Sequence, residues 1–454
     1  MDYNITEATV EPDSELGRPI STQWLLKFTV PTMLATVFMS AFGIIDGIFA
    51  ARVINPAAFA AVGIVMPVMT FAMAIGFMLA IGGSALVAKQ LGEGQRQQAR
   101  ETFTMFTIVI FTVSALIAIV GLVIPDILLD ILGVDELLRP MALEYLRPIL
   151  IILPFGMLST YFQQFFISEG KPAYGTIFTV IGGLVSLAGN FLFIWHLGWG
   201  LRGAALATGL GWAIPALFGL IFFARNRAGV LRFVRPTWDL AALGKGAVNG
   251  TSEMVTMMAG TITTVVMNNI LIRQIGYEAV AAVGIMMAGQ MLLMATFMGY
   301  ATGISPVISY TFGKSDTNRL QTLFRRSLAI IAIASVTSAV LGWFLASPLT
   351  RIYVAPGTPL YDLSVLAFRF GLIGFLFMGI NGFASVMFTA LNNGLISGLL
   401  SILRTLVFVL VMLSILPAIL EANGVWLALP AAELLALGTS LFAFWKFKGK
   451  YQYA

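Results

Sequence analysis

The chain contains no cysteine, which excludes disulfides, iron–sulfur clusters and thiolate metal sites. Its single histidine, His196, leaves no His-based metal centre or Ser-His-Asp triad to assemble. Charge is scarce too: 10% of 454 residues are charged against 59% hydrophobic, and the mean hydropathy is +0.92. A soluble chain of this size needs far more polar residues to cover itself, so most of this one must face lipid. Ten-residue segments of alternating polarity, the mark of a membrane β-barrel, are absent. The opening stretch MDYNITEATVEPDSELGRPIST has no apolar core, so no secretory signal is expected and the first span directs insertion. FGKS at 312–315 resembles the end of a phosphate loop, but the glycine required five positions before Gly313 is Ile308. With no ATP site and no residues for enzyme chemistry, no cofactor is expected; energy must come from an ion gradient or from the substrate's own.

What fills the chain is apolar runs of spanning length. They predict an all-α polytopic membrane protein with spans near 27–50, 58–82, 104–125, 141–166, 175–195, 203–223, 249–271, 281–305, 327–347, 364–389, 395–417 and 424–445. The pI near 9.4 does not argue for nucleic acid, because the cations sit in loops. Lys89, Arg96 and Arg100 follow the second span, Arg225 to Lys245 the sixth, and Lys314 to Arg326 the eighth. The loop after the third span carries Asp126, Asp130, Asp135 and Glu136. The positive-inside rule then puts both termini and the basic loops in the cytoplasm, with the protein in the cytoplasmic membrane.

The halves of the chain repeat. Arg52-Val-Ile-Asn-Pro-Ala-Ala-Phe-Ala-Ala-Val-Gly-Ile64 reappears as Arg273-Gln-Ile-Gly-Tyr-Glu-Ala-Val-Ala-Ala-Val-Gly-Ile285, a shift of 221 that also carries Gly92 to Gly313 and Gly203 to Gly424. The expected organisation is a tail 1–23, a first six-helix lobe 24–224, a linker 225–246, a second lobe 247–445 and a tail 446–454. Six helices per copy is an even number, so the lobes share one orientation and a pseudo-twofold along the membrane normal, with a cavity between them. A channel or structural bundle is the rival for this layout. Duplications of this kind more often serve alternating access.

A carboxylate in hydrocarbon needs a reason. Asp46 stands about 22 Å of helix beyond Pro31, and its repeat counterpart is Met267, followed by Asn268 and Asn269. Desolvation suits such an acid to carry a proton; surrounding oxygens would suit it to Na⁺. Ser186 and Asn190, four apart, share a face of the fifth span, and Thr208 lies in the small-residue stretch GAALAT of the sixth. Against them stands the habit of membrane Ser and Thr to bond their own helix. Glu253 in the seventh span either lines a cavity or snorkels, and Arg404 and Glu433 either line a cavity or pair with each other. Met residues in the first, second, seventh and eighth spans are packing or the wall of an adaptable apolar cavity.

Taken jointly, the first-helix Asp46 followed by AAVGI, the GAALAT, GISPVISYTFG and GVWLALPAAEL segments resemble the multidrug and toxic compound extrusion (MATE) transporters of the prokaryotic branch. The resemblance covers nearly the whole chain. It implies export of amphipathic, often cationic compounds in exchange for H⁺ or Na⁺ by rocking between two V shapes. It implies Pro31 as a hinge, Asp46 as the coupling acid, and Thr208 and Tyr145 at the ion pocket. Met39, Ser159 and Gln163 then face the cavity, with Glu253, Asn269, Arg404 and Glu433 as further cavity candidates. Any Na⁺ would lie among Asp46, Asn190 and Thr208. The family's fifth helix usually carries Asn and then Asp; here Ser186 and Asn190 stand there, so the site keeps one carboxylate. The expected partners are a small-molecule substrate, the coupling cation and the bilayer, with a monomer as the working unit. A dedicated exporter of one metabolite and a flippase for lipid-linked sugars are the alternatives.

Overall fold

The computed structural model describes residues 15–49, 56–227 and 229–454, without the side chains of 44, 46–49, 56, 57, 59, 60 and 277. Every regular element among them is helical. Helices α1 (Thr22–Phe49), α2 (Pro56–Gly92), α3 (Arg96–Val123), the short α4 (Pro125–Ile131), α5 (Arg139–Ser168), α6 (Pro172–Gly189) and α7 (Gly200–Arg225) form the first half. Helices α8 (Leu240–Gln274), α9 (Tyr277–Gly313), α10 (Thr317–Tyr353), α11 (Pro359–Ala390), α12 (Gly394–Ile402) and α13 (Phe408–Tyr451) form the second. Two π-helical segments interrupt the series, Asn190–His196 after α6 and Leu403–Val407 after α12.

Eleven of these stretches are long and apolar enough to cross a membrane, and the last, Gly394–Tyr451, holds two spans. Within α13, Glu421 leaves helical geometry at φ 50° and ψ −133°, which separates the eleventh span from the twelfth. The repeat explains the position, since Glu421 is the counterpart of Gly200 (φ 53°) at the start of α7. The multi-pass architecture expected from hydropathy is therefore present.

Several helices outrun their apolar windows. The apolar runs 58–82 and 281–305 continue as helix to Gly92 and Gly313. At 37 residues each, α2 and α9 are about 55 Å long, against a hydrocarbon core of about 30 Å. They stop where the backbone turns left-handed, at Gly94 (φ 78°) and at its repeat counterpart Ser315 (φ 58°). Likewise α8 begins at Leu240, inside the stretch expected as linker, because the Asp239 carboxylate accepts the Ala242 N–H at 2.9 Å and caps it.

The halves meet along α1, α2, α8 and α9. Glycines set the distance of approach. Gly82 lies against the backbone of Gly246 and Gly250, Gly250 against Met78, Gly92 against the Tyr310 carbonyl and Gly313 against the Lys89 carbonyl. A side chain at any of these would strike backbone. All four contacts fall in the parts of the helices nearest the basic loops. Toward the other end, Gly43, Gly63, Gly260 and Gly284 meet nothing within 4 Å. The hydrophobic core follows the same pattern. One cluster runs from the first half across the seam into Tyr300, Ile304, Phe383 and Phe388 of the second. The far end of the second half holds a separate cluster around Met267, Phe297, Phe375 and Trp426. The seam is closed at the basic end, and the core is not continuous at the other.

Candidate functional site

The first-half candidates sit on α1, α5, α6 and α7. Pro31 lies inside α1 and withholds one helical N–H, so the Lys27 carbonyl lacks its usual donor. Thr29, Thr36 and Ser40 bond the carbonyls of Leu25, Thr32 and Thr36 in their own helix, a habit that favours bending. Beyond them the Phe42 ring lies directly on Gly183 of α6. Asp46 is one helical turn beyond Phe42 along α1, and its side chain lies outside the described residues.

Ser186 is buried, and its hydroxyl has no partner among the described residues. It packs against Gly211 of α7. Asn190 is 2% exposed and opens the π-helical segment, where the widened turn relaxes the backbone ladder. Gly189 beside it touches Ala207, which brings the fifth span to the edge of the Thr208 turn. Thr208 itself donates to the Ala204 carbonyl at 3.1 Å, the self-bonding expected of a membrane threonine. Tyr145 is buried in α5. Ser159 and Gln163 are half-buried on the same helix, and Met39 is 42% exposed on α1.

The second-half candidates behave differently. Arg404 and Glu433 pair: Arg404 Nε donates to Glu433 Oε1 at 2.9 Å and Oε2 at 3.1 Å, with both side chains nearly enclosed. Asn381 donates to Glu433 Oε2 at 2.7 Å and to its carbonyl at 2.8 Å, and Ser440 donates to Asn381 Oδ1 at 3.0 Å. This is a satisfied buried pair. Arg404 belongs to the π-helical segment, whose Thr405 carbonyl accepts from Thr263 of α8 at 3.1 Å. Glu253 of α8 is half-buried and lies within the electrostatic reach of Arg404. Asn269 is exposed and donates to the Val265 carbonyl of its own helix at 2.9 Å.

Below the ion pair runs a chain of buried hydroxyls. Ser252 and Thr389 are 3.2 Å apart, Thr389 and Ser397 2.6 Å, Ser397 and Ser385 2.9 Å, and Ser385 and Ser401 2.9 Å. Reading the sequence for charge alone passes over Asn381, Ser440 and this chain. Their signal was the four-residue spacing of Ser385 with Thr389 and of Ser397 with Ser401, which puts each pair on one helix face.

Outside the spans, Glu169 at the end of α5 clasps the connection between the halves. Its carboxylate accepts from Asn226 Nδ2 at 2.8 Å, Val230 N at 3.2 Å and Leu231 N at 2.6 Å. Burial still pushes this carboxyl above its ordinary range.

A twelve-span helical fold in two repeated halves, with polar groups gathered inside the spans and a seam closed at one end, defines a multi-pass membrane transporter. The MatE family model matches residues 31–192 and 252–415, so the chain belongs to the MatE family, whose members are transporters and not enzymes. It is similar to the multidrug export protein MepA of Staphylococcus haemolyticus, 25% identical over 325 residues, covering 69% of this chain and 68% of that one. MepA of Staphylococcus saprophyticus is 24% identical over 371 residues, covering 78% and 80%. Among solved structures, a multidrug resistance MATE family transporter of the MOP superfamily in an outward-facing conformation superposes with TM-score 0.91 at 20% identity, covering 97% of this chain and 99% of that one. A MOP superfamily transporter from Pyrococcus furiosus gives 0.89 at 20% identity, covering 96% and 98%.

Proposed function

We propose that the protein is a secondary antiporter that exports amphipathic or cationic compounds in exchange for H⁺ or Na⁺ by alternating access. The observation that carries this reading is the seam. It is closed by glycine-to-backbone contacts at the basic end, while the core is split in two toward the other end. Two rigid halves joined in this way can rock about their contact, exposing an intervening cavity to each side in turn. With the basic end cytoplasmic, this arrangement is the outward-open one. The multidrug export named for the two relatives fits a broad apolar substrate class.

Asp46 is the coupling carboxylate in this scheme, with Asn190, Ser186, Thr208 and Tyr145 around it. The unpartnered, buried hydroxyl of Ser186 is what supports its place in this set. Neutralising Asp46, by a proton or by Na⁺, lets α1 bend at Pro31 and shrink the cavity beside Met39, Ser159 and Gln163. The Arg404–Glu433 pair compensates its own charge, which leaves Glu253 as the acid of the second half free to meet a cationic substrate.

The test is substrate efflux from proteoliposomes with proton and sodium gradients imposed separately. Asp46→Asn is expected to abolish gradient-driven efflux while leaving substrate binding measurable. Undiminished efflux in Asp46→Asn would remove Asp46 from the coupling role. A narrow substrate profile would replace multidrug export with the export of one metabolite.

A further inference from the structure

The segment before α1 is tied to both halves at the end where they close. Residues Glu15–Gly17 form a single 3₁₀ turn, and Leu16 within it is completely buried. On one side the turn rests on the first half: Glu15 Cα and Cβ pack on Gly170 in the α5–α6 connection, where the left-handed backbone (φ 84°) and the lack of a side chain make room. On the other side it is held by the second half. Arg319 of α10 donates through Nη1 to the Gly17 carbonyl at 2.7 Å and through Nη2 to the Leu16 carbonyl. Arg326, two turns along the same helix, donates through Nη1 to the Ile20 carbonyl at 3.0 Å. The Tyr310 ring of α9 lies over Gly17. Just past this turn, Ser21 caps α1 through the Trp24 N–H at 3.0 Å, so the segment feeds directly into the helix that carries Pro31.

All three arginine bonds end on main-chain carbonyls. They are charge-assisted, the stronger kind of hydrogen bond, and their geometry depends on the path of the segment instead of its side chains. Separation of the halves at this end would move Gly170 away from Arg319, Arg326 and Tyr310, and one short turn of chain cannot follow both.

We propose that Glu15–Ile20 is a strap that locks the two halves together at their basic ends, and that it must release Arg319 and Arg326 before that end opens. This rests on the alternating-access reading. The strap adds a barrier to opening beyond the glycine seam, and it couples that barrier to the base of α1.

The cysteine-free chain allows a direct test. Gln97→Cys and Asn318→Cys, exposed positions related by the repeat, place one spin label on each half at the basic end. In the otherwise unchanged full chain in proteoliposomes, electron–electron distance measurements are expected to give one short population without substrate. A longer population should appear when substrate and an ion gradient favour the other state. Arg319→Ala with Arg326→Ala is expected to raise the ratio of long to short distances about tenfold, equivalent to about 1.4 kcal/mol. Leu16→Asn, which keeps both arginines, serves as an independent release of the strap and is expected to act in the same direction. Unchanged distances in both variants, while the parent still opens on demand, would overturn the lock and leave alternating access standing. A parent that never shows the longer distance under any gradient would overturn both.

Discussion

The two halves share a backbone plan and differ in what they enclose. Near the basic end they agree: Phe103, Phe162 and Phe223 of the first half correspond to Phe324, Phe383 and Phe444 of the second, and each set is packed in aromatic contact. Deeper in the membrane they part. Where the second half has Arg404, the first has Gly183 under the Phe42 ring; where it has Glu433, the first has Trp212 packed on Gly156. Thr263, which serves a carbonyl of the π-helical segment, stands where the first half has Phe42. Conversely, Pro31 and Asp46 of the first half face Ser252 and Met267 in the repeat. Each half thus holds one polar device where the other is apolar. The second half's device is closed on itself, whereas the first half keeps an unpartnered hydroxyl at Ser186. A self-satisfied pair serves architecture, and an incomplete set of oxygens serves exchange.

The largest effect expected from breaking this contrast is at the ion pair. Arg404→Ala leaves Glu433 buried without its cation and should destabilise the second half by about 3–5 kcal/mol. The change is read as an early melting transition in tryptophan fluorescence. Arg404→Met with Glu433→Leu should recover most of the loss; if the single change were neutral, the pair would not be structural. Next comes the seam. Gly82→Ala should obstruct closure against Gly246, at the about 1–3 kcal/mol typical of overpacking, and reduce transport at least tenfold. Gly63→Ala, in open space, should leave transport near the parent rate. Smaller is Ser397→Ala in the hydroxyl chain, at about 0.6–1.7 kcal/mol for a hydrogen bond between membrane helices, read in the same melting assay.

The smallest effect concerns pH. Because burial raises the Glu169 carboxyl, the folded chain keeps a proton there that the unfolded chain has already lost, from about pH 4.3 upward. Stability from this group is full below that value and falls as pH climbs to its raised folded value. Glu169→Gln should flatten the slope of melting temperature against pH in that window, and an unaltered slope would assign it to another group.

Hydropathy and loop charge were enough to read the helical class and the number of spans, because each span must satisfy its backbone internally and leaves a long apolar run. The limits of that reading were physical. The apolar windows stop short of the helix ends, whereas α2 and α9 continue as largely buried helix until Gly94 and Ser315 turn the chain. The joint at Glu421 falls between the spans read at 395–417 and 424–445, although no glycine marks its left-handed backbone. Among the candidate residues, charge drew attention to Arg404 and Glu433, and they are partners. Asn381 and the serines around them carry no charge, so only helical spacing marked them. Nothing local in the sequence marked Arg319 and Arg326 as binding carbonyls about three hundred residues away, since a loop-side arginine is the ordinary sign of the basic face.

Both halves place a π-helical segment in the span that follows their fourth long helix, Asn190–His196 in one and Leu403–Val407 in the other. A π turn is equivalent to one extra residue in an α-helix, and each residue of α-helix corresponds to about 100° of rotation. The part of each span beyond the segment is therefore phased differently from the part before it, so a single span shows one sequence face to its own half and another further out. Removing one residue from either segment would not shorten the span noticeably. It would let the segment close into regular α-helix with everything beyond still facing as it does now, whereas tightening the segment to α-helix without a deletion would rotate the part beyond by more than a quarter turn.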